Sequence, residues 1–200
     1  MRVSDSPAPK PPISLEERYR LLLGVSKVLG AIRDPEGLVR ALARELQRIL
    51  SFDHLSLFLK DVVGEGDSWH IWHADDQSVL SPAGTVPLEE TLEAWVVANQ
   101  TVFSWPPREG QPVFSGLEEA LARHGILSLC AVPLTTVNAR VGALSVASRR
   151  EGAYPEEERR FLSVVADQVA LAVDGAASFE RLRAANESLA RSSERLKLVL

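Results

Sequence analysis

Cysteine is nearly absent from this sequence, which has one such residue, Cys130, among its 200 residues. A single thiol excludes an internal disulfide and any CxxC pair for zinc, which is typical of a protein from a reducing compartment. We therefore expect a cytoplasmic location. Cys130 lies within the apolar segment LSLCAVPL. Burial there would raise its thiol pKa and keep it inert, which predicts a core role rather than a redox or chromophore-attachment role.

Long hydrophobic runs and clustered basic residues are also lacking. No uninterrupted apolar run approaches the ~20 residues that a bilayer requires, and the N-terminal segment has no hydrophobic core for a secretory signal. The formal net charge is −5, which argues against a nucleic-acid-binding surface, because neutralising phosphates requires clustered Lys and Arg. We expect contact with neither membrane nor nucleic acid. The 46% hydrophobic content suffices for one domain of about 150 residues plus tails.

Catalytic and metal-binding motifs are missing as well. The sequence contains no GxSxG, no HExxH and no phosphate-cradling glycine loop, so we predict no catalytic residues. The run WHIWH places His70 and His73 on opposite faces of a strand, where they cannot share one metal ion. One of them facing a pocket could bind an anion or titrate near neutral pH, although a surface or core role is more usual for a strand histidine.

Sequence patterns divide the chain into three parts. Residues 1–13 contain four prolines and too little apolar surface to order themselves, so we predict a disordered tail. Residues 14–175 form the predicted globular domain. It opens with an amphipathic helix whose start is marked by the capping-box spacing of Ser14 and Glu17. A second helix follows Asp34-Pro35 and is predicted to run to about residue 51, with apolar positions at Leu38, Leu42, Leu46, Ile49 and Leu50.

Two antiparallel hairpins are predicted in the domain. Alternating apolar residues indicate strands at 53–60 and 68–74 for the first hairpin, and at 127–134 and 140–148 for the second. Between them we expect a helix that begins at Pro87 and ends near Asn99 with a left-handed cap, a short strand at 101–104, and a helix from Ser115 that Gly125 stops after His124. A long helix follows Pro155 and could continue to residue 200. The predicted fold class is α+β, with an antiparallel sheet, flanking helices and a long C-terminal helix.

Four segments carry a resemblance to a known family. They are FDHLSLFL, LEAWVVANQTVF, ILSLCAVPLTTVNARVGALSVAS and YPEEERRFLSVVADQVALAV, in that order. Together they resemble the GAF family over roughly residues 20–176. The resemblance implies a non-catalytic sensory domain with a small-ligand pocket between the sheet and a lobe formed by residues 75–126.

Six residues of that lobe are candidates for lining such a pocket: Trp95, Phe103, Trp105, Phe114, Arg123 and His124. The alternative is that the aromatic rings fill ordinary core space between the short helices and the sheet. The lobe has neither the cysteine of bilin-binding relatives nor the NKFDE-like set of cyclic-nucleotide relatives. One thiol also cannot perform the disulfide relay of the related free-methionine sulfoxide reductases. The cofactor and the ligand therefore stay unassigned.

Residues 176–200 are predicted to form a coiled-coil linker helix leading to a further domain. Apolar residues, one asparagine and one serine recur at alternating steps of three and four: Phe179, Leu182, Asn186, Leu189, Ser193, Leu196 and Leu200. A single asparagine at an a position favours a parallel two-stranded coil in register, which predicts a homodimer through the first and last helices. The alternative is packing against the first helix of the same chain, since only Arg183 and Lys197 are charged at the flanking positions.

The segment ESLARSSERLKLVL resembles the linker of tandem-GAF regulators of the formate-hydrogenlyase-activator type. That resemblance implies a sensor in a sigma-54-dependent transcriptional activator. The sequence contains no GxxxxGK[ST] or GAFTGA segment, the motifs that would mark the ATPase domain of such an activator. Two alternatives stay open, a sensor of a histidine kinase or cyclase, and a dimerisation module that binds no ligand.

Overall fold

A computed structural model describes residues 35–60, 66–81, 91–114 and 116–197. The strands in these residues are β1 (His54–Leu59), β2 (Ser68–His73), β3 (Val79–Leu80), β4 (Phe103–Trp105), β5 (Ser128–Thr135) and β6 (Arg140–Ser148). These six strands form one antiparallel sheet in the order β3-β2-β1-β6-β5-β4. The helices are α1 (Pro35–Leu46), α2 (Leu92–Asn99), α3 (Leu117–Arg123) and α4 (Glu156–Lys197). This architecture confirms the predicted α+β fold.

Several sequence predictions fall outside the described residues. These are the tail at 1–13, the amphipathic helix from Ser14, the helix start at Pro87 and the capping residue Ser115. The division of the chain at residue 175 stays a prediction.

Both predicted hairpins are present. Strand β1 pairs with β2 from His54↔His73 to Leu59↔Ser68, and β5 pairs with β6 from Ser128 to Thr135, with an irregularity after Leu134. Strands β1 and β6 pair directly and join the two hairpins at the centre of the sheet. The sequence pattern did not indicate β3, whose two residues pair with β2 after a tight turn. A strand of two residues is too short to show an alternating pattern.

Helix α1 ends at Leu46, whereas the sequence predicted an end near residue 51. The next residues form a turn in which the backbone N–H of Leu50 donates to the carbonyl of Leu46 at 2.8 Å. Ile49 and Leu50 are still buried, because the turn directs them into the same core as the helix. The apolar spacing therefore predicted the burial of Ile49 and Leu50 correctly, but the prediction that they are helical was wrong.

The sheet is covered on both faces. One face packs Leu55, Leu57 and Leu144 against α1 and α4. The opposite face packs Phe58 and the small side chains of Ala131 and Ala143 against α2 and the α3 region. Because both faces of β5 and β6 are buried, these strands are apolar almost throughout.

Helix α4 is one uninterrupted helix of 42 residues with Gly175 inside it. Six residues on its buried face belong to the core cluster that includes the sheet: Phe161, Leu162, Val165, Ala166, Val169 and Ala170. By length and composition, residues 156–189 of α4 are also apolar enough to cross a membrane. Burial of this face in the protein core accounts for the apolar composition of the first half of the helix.

Helices α2 and α3 close the lobe side of the sheet. The left-handed residue that ends α2 is Gln100, with φ of 54°, and not the predicted Asn99. The backbone N–H of Gln100 donates to the carbonyl of Val96 at 2.9 Å, which satisfies an acceptor at the end of the helix. Helix α3 ends at Arg123 and is followed by Gly125 at φ of 67°, so the predicted glycine stop is correct.

Candidate functional site

The aromatic residues of the lobe pack against one another. Trp95, Phe103 and Phe114 make edge-to-face contacts, with ring centroids 5.7 to 6.4 Å apart. Phe103 is fully buried, and Trp105 packs against the same cluster. Four of the six sequence-predicted pocket residues therefore form a packed aromatic cluster between α2, the α3 region and the sheet. This arrangement is the one that core filling predicts.

The other two pocket candidates lie apart from that cluster. Arg123 is exposed in the last turn of α3, and His124 caps the same helix. The His124 ring lies 5.7 Å from the ring of His54 on β1. The six candidates thus do not converge on one cavity.

Three histidines form a second cluster, which the sequence pattern did not indicate. His54 and His73 are register partners on β1 and β2, and their ring centroids are 4.6 Å apart. His124 completes the group. His70 does not belong to this group, and its Nδ1 lies 2.8 Å from the hydroxyl oxygen of Ser81. Within the described residues, no set of three metal-ligating side chains could hold a metal ion.

Arg149 contacts the histidine cluster and two nearby aspartates. Its guanidinium donates two hydrogen bonds to the carboxylate of Asp75, at 3.0 and 2.7 Å. It also donates to the carbonyl of His124 at 3.3 Å and lies 3.5 Å from the Asp53 carboxylate. Burial, helped by the nearby His73 and Arg149, lowers the pKa of His54 from 6.5 to about 4. His54 therefore stays neutral in the folded protein at pH values where a free histidine is protonated.

The depressed pKa of His54 predicts that the fold loses stability in mild acid. Above pH 6.5 neither state binds the proton; between pH 6.5 and about 4 only the unfolded state binds it, so stability falls as the pH falls. We expect a loss of about 1–2 kcal/mol between pH 7.5 and 5, because the ring is only partly buried and its charges are screened. Urea denaturation at both pH values measures it. His54→Gln should have a flatter pH profile, and an unchanged profile would rule out His54 as the source.

Two buried titratable groups lie near the sheet. Burial raises the pKa of the Cys130 thiol to about 12, which agrees with the inert core role that the sequence predicted. Burial also raises the pKa of Glu93, in the first turn of α2, to about 7. The Glu93 carboxyl on α2 is therefore harder to ionise than that of an exposed glutamate. The sequence does not single out Glu93, because a glutamate in the first turn of a helix is common and usually exposed.

A groove of about 500 Å³ lies along the β4 edge of the sheet. Trp95 and Asn99 of α2 line one side, and residues from the first two turns of α4 line the other. The loop after β4 is held in place by Gln111, whose side chain donates to the carbonyl of Val102 at 2.8 Å and accepts from the Arg108 N–H at 3.1 Å. Of the predicted pocket residues, Trp95 reaches this groove.

Charged side chains meet at the α4 side of the groove. Three guanidinium groups surround the carboxylate of Glu156: that of Arg159 at 2.7 Å, that of Arg160 at 3.2 Å and that of Arg108 at 3.7 Å. Hydrogen bonds from Arg159 and Arg160 lower the pKa of Glu156, so it is ionised at neutral pH. This arrangement could not be predicted from the sequence, because Arg108 lies about fifty residues before Glu156, Arg159 and Arg160.

The β5–β6 hairpin contacts both the lobe and the long helix. On the lobe side, Arg140 donates to the carbonyl of Ala98 at 2.9 Å, and the Thr135 hydroxyl donates to the side chain of Gln100. On the other side, the Thr136 hydroxyl donates to the carboxylate of Asp174 on α4 at 2.9 Å. Hydrogen bonds thus connect the end of α2 to α4 through one tight turn.

The described part of the predicted dimer seam is exposed. Phe179 is 60% exposed, Leu182 66% and Leu189 68%, and Asn186 is exposed on the same side of the helix. The side chain of Leu196 lies outside the described set. The described residues of the chain therefore leave Phe179, Leu182, Asn186 and Leu189 uncovered, and the predicted first helix lies outside the described residues.

The structure is an α+β domain with a lobe on one face of the sheet and a helix of 42 residues packed against the other face. The family model for the GAF domain matches residues 34–173, well over half of the chain. The chain belongs to the GAF domain family.

Curated relatives are transcriptional activators. The chain is 24% identical over 191 residues to the DNA-binding transcriptional activator HyfR of Escherichia coli, covering 90% of this chain and 27% of that protein. It is 21% identical over 180 residues to the formate hydrogenlyase transcriptional activator FhlA of Escherichia coli, covering 86% of this chain and 25% of that protein. The chain thus spans about a quarter of the length of these relatives.

Solved structures support the fold. The phycoerythrobilin-bound GAF domain of a cyanobacterial phytochrome superposes with a TM-score of 0.61 at 15% identity, covering 82% of this chain and 98% of that one. The substrate complex of free methionine-R-sulfoxide reductase from Neisseria meningitidis gives a TM-score of 0.54 at 14% identity, covering 86% and 98%. One fold thus carries both a chromophore-binding domain and an enzyme, so the fold alone does not determine function.

Proposed function

We propose that this chain is a non-catalytic module that senses a small ligand, dimerises and regulates an output domain in the cytoplasm. The main support for this proposal is that the two halves of α4 differ in burial. Its first half is buried against the GAF sheet, and its second half presents exposed Phe179, Leu182 and Leu189 around Asn186. A helix that is continuous from the core to such a seam can transmit a change in packing.

The output is best assigned by relatedness. The relatives named above are transcriptional activators, and the match covers most of this chain. We therefore propose that the module belongs to an activator of the sigma-54-dependent type. Histidine kinases and cyclases would use the same helical seam, so downstream sequence distinguishes them from an activator.

Coupling between the lobe and the output helix would run through the β5–β6 turn. A ligand that displaces α2 would move Ala98 and Gln100, to which Arg140 and Thr135 are hydrogen-bonded. The neighbouring Thr136 would carry this displacement to Asp174 on α4. Such a ligand acts only if it binds the two arrangements of α4 with different affinity.

Non-catalytic function is supported by the state of the only thiol. Cys130 is fully buried with a pKa of about 12, so it offers no thiolate at neutral pH. With one cysteine in the chain, no intramolecular disulfide relay can form.

A dimerisation module without a ligand is the second candidate. The edge-to-face packing of Trp95, Phe103 and Phe114 favours it, because these rings occupy the lobe space that a ligand would need. Thermal-shift screening against small carboxylates, nucleotides and phenolics decides between them. A blank result across the whole set would leave dimerisation as the function.

Dimerisation is tested by changing the seam. Light scattering should show a dimer, and the double substitution Leu182→Glu, Leu189→Glu should weaken it by roughly 100-fold or more, because it buries carboxylates in an apolar seam. Asn186→Leu should change the oligomeric state or the register, because the paired amides are lost.

The matched control is Ala184→Glu, which adds the same side chain on the opposite, exposed side of α4. It should leave the dimer intact. A monomeric parent chain, or a double variant that dimerises as well as the parent, would count against the seam.

A further inference from the structure

We infer that the groove at the β4 edge binds a small organic dianion, meaning a molecule with a phosphate monoester or two neighbouring carboxylates on an organic body. The inference rests on the proposed sensory function and gives a chemical class for its ligand. It also moves the binding site from the aromatic cluster of the lobe to the boundary between α2 and α4.

The first support is charge. Three arginines and two glutamates line the groove, so its charged side chains leave one net positive charge in a chain whose net charge is negative. The guanidiniums of Arg108, Arg159 and Arg160 all lie within 3.7 Å of one carboxylate, that of Glu156. A guanidinium presents two parallel N–H donors that match the oxygen spacing of phosphate and carboxylate. One carboxylate cannot use all the donors that three guanidiniums offer.

The second support is that Glu156 is easily displaced. Its side chain is 57% exposed, and those of Arg108 and Arg160 are 54% and 78% exposed. Ion pairs this exposed contribute little, because water and salt screen them. Arg159 is different, with its side chain 14% exposed and its Nη1 donating to the carbonyl of Tyr154 at 2.6 Å. Arg159 thus provides a fixed anchor, and the other two guanidiniums can rearrange around a dianion.

The third support is space for an organic body. A volume of about 500 Å³ is within the range of small-molecule sites and exceeds what a lone anion needs. Trp95 offers an aromatic surface beside the polar groups of Asn99 and Ser104. Because α2 and α4 both line the groove, an occupant would contact the lobe and the output helix together.

The test uses the four tryptophans of the chain as probes of position. Phenyl phosphate, succinate and inorganic phosphate are titrated at constant ionic strength, with sodium chloride as the control, while the indole N–H resonances are recorded. Phenyl phosphate or succinate should shift the Trp95 resonance saturably, and inorganic phosphate should bind more weakly. The resonance of Trp72, which is buried on the other face of the sheet, should not move. Trp95→Phe assigns the signal, and no saturable shift with any probe would overturn the inference.

Substitutions separate the groove from general charge effects. Arg108→Gln and Arg160→Gln should each weaken binding roughly fivefold, and Glu156→Gln should tighten it roughly threefold, because the guanidiniums lose their competing carboxylate. Arg40→Gln is the matched control, since Arg40 on α1 is 49% exposed and is paired with Glu36 at 3.6 Å. It should have no effect.

Equal weakening in Arg40→Gln, or weaker binding in Glu156→Gln, would contradict the groove. A chain that dimerises but binds no probe overturns this inference and leaves the dimerisation proposal standing. A chain that binds phenyl phosphate as a monomer would support the proposed binding site and contradict the dimerisation proposal.

Discussion

Gly142→Ala is expected to destabilise the protein by about 3 kcal/mol or more, at the upper end of the cost of overpacking a core. Gly142 lies on β6 opposite Leu59, where the two central strands of the sheet pair. A Cβ added there would lie 1.9 Å from the carbonyl oxygen of Phe58 and 3.1 Å from the Cα of Leu59. Both are backbone atoms, so a side-chain rotation cannot relieve the clash. The pairing of β1 with β6 would have to open.

Denaturant unfolding followed by circular dichroism measures this loss. The matched control is Gly175→Ala, because nothing lies within 4 Å of a Cβ at that position in α4. Alanine there should stabilise the chain by about 0.5–1 kcal/mol, since a helix interior disfavours glycine. Equal effects of the two substitutions would mean that the close approach of β1 to β6 is not present in solution.

Phe103→Ala is expected to cost about 3–5 kcal/mol, the usual range when a buried aromatic ring is replaced by alanine. Phe103 is completely buried, and its ring contacts both Trp95 and Phe114. The remaining side chains cannot close the resulting cavity, because β4 and α2 fix their positions. This substitution therefore tests whether the aromatic cluster is structural core.

Two comparisons make the Phe103 result specific. Phe114→Ala should cost less than Phe103→Ala, because Phe114 is only partly buried. Val137→Ala should change stability by less than about 0.5 kcal/mol, since Val137 is fully exposed in the β5–β6 turn. If Phe103→Ala instead left the free energy of unfolding unchanged, the cluster would be better described as a loosely filled pocket.

The candidate site was only partly predictable from sequence. The aromatic candidates were correctly placed on the lobe side of the sheet, because Trp95 lies on an obvious helix and Phe103 on the strand that follows it. Their mutual packing, however, depends on the tilt of α2 over the sheet, which residue spacing does not contain. The groove joins Arg108 to Arg159 and Arg160, and nothing in the local sequence of Arg108 indicates those partners. The histidine cluster was missed for the same reason, since His54, His73 and His124 lie on three different elements.

The central hairpin and the long helix could be predicted from the sequence, because each depends on the properties of residues that lie close together in the chain. The β-branched and aliphatic runs at 128–135 and 140–148 determine the central hairpin, and the unbroken apolar period after Pro155 determines the long helix. The repeat from Phe179 to Leu189 also follows from sequence, because helix periodicity alone brings those side chains to one side. Each of these features depends on residues close together in the chain.

Only the tertiary structure decided which distant residues meet. It ended α1 at Leu46, where the chain must turn to enter β1, and it brought β1 against Gly142. It also placed three guanidiniums around Glu156 and linked α2 to α4 through Thr136. Such contacts depend on the packing of whole elements, whose relative positions are set by the shared core and not by the residues beside each site. The long helix can therefore be predicted from the sequence, whereas the proposed binding groove depends on contacts that form only when the chain is folded.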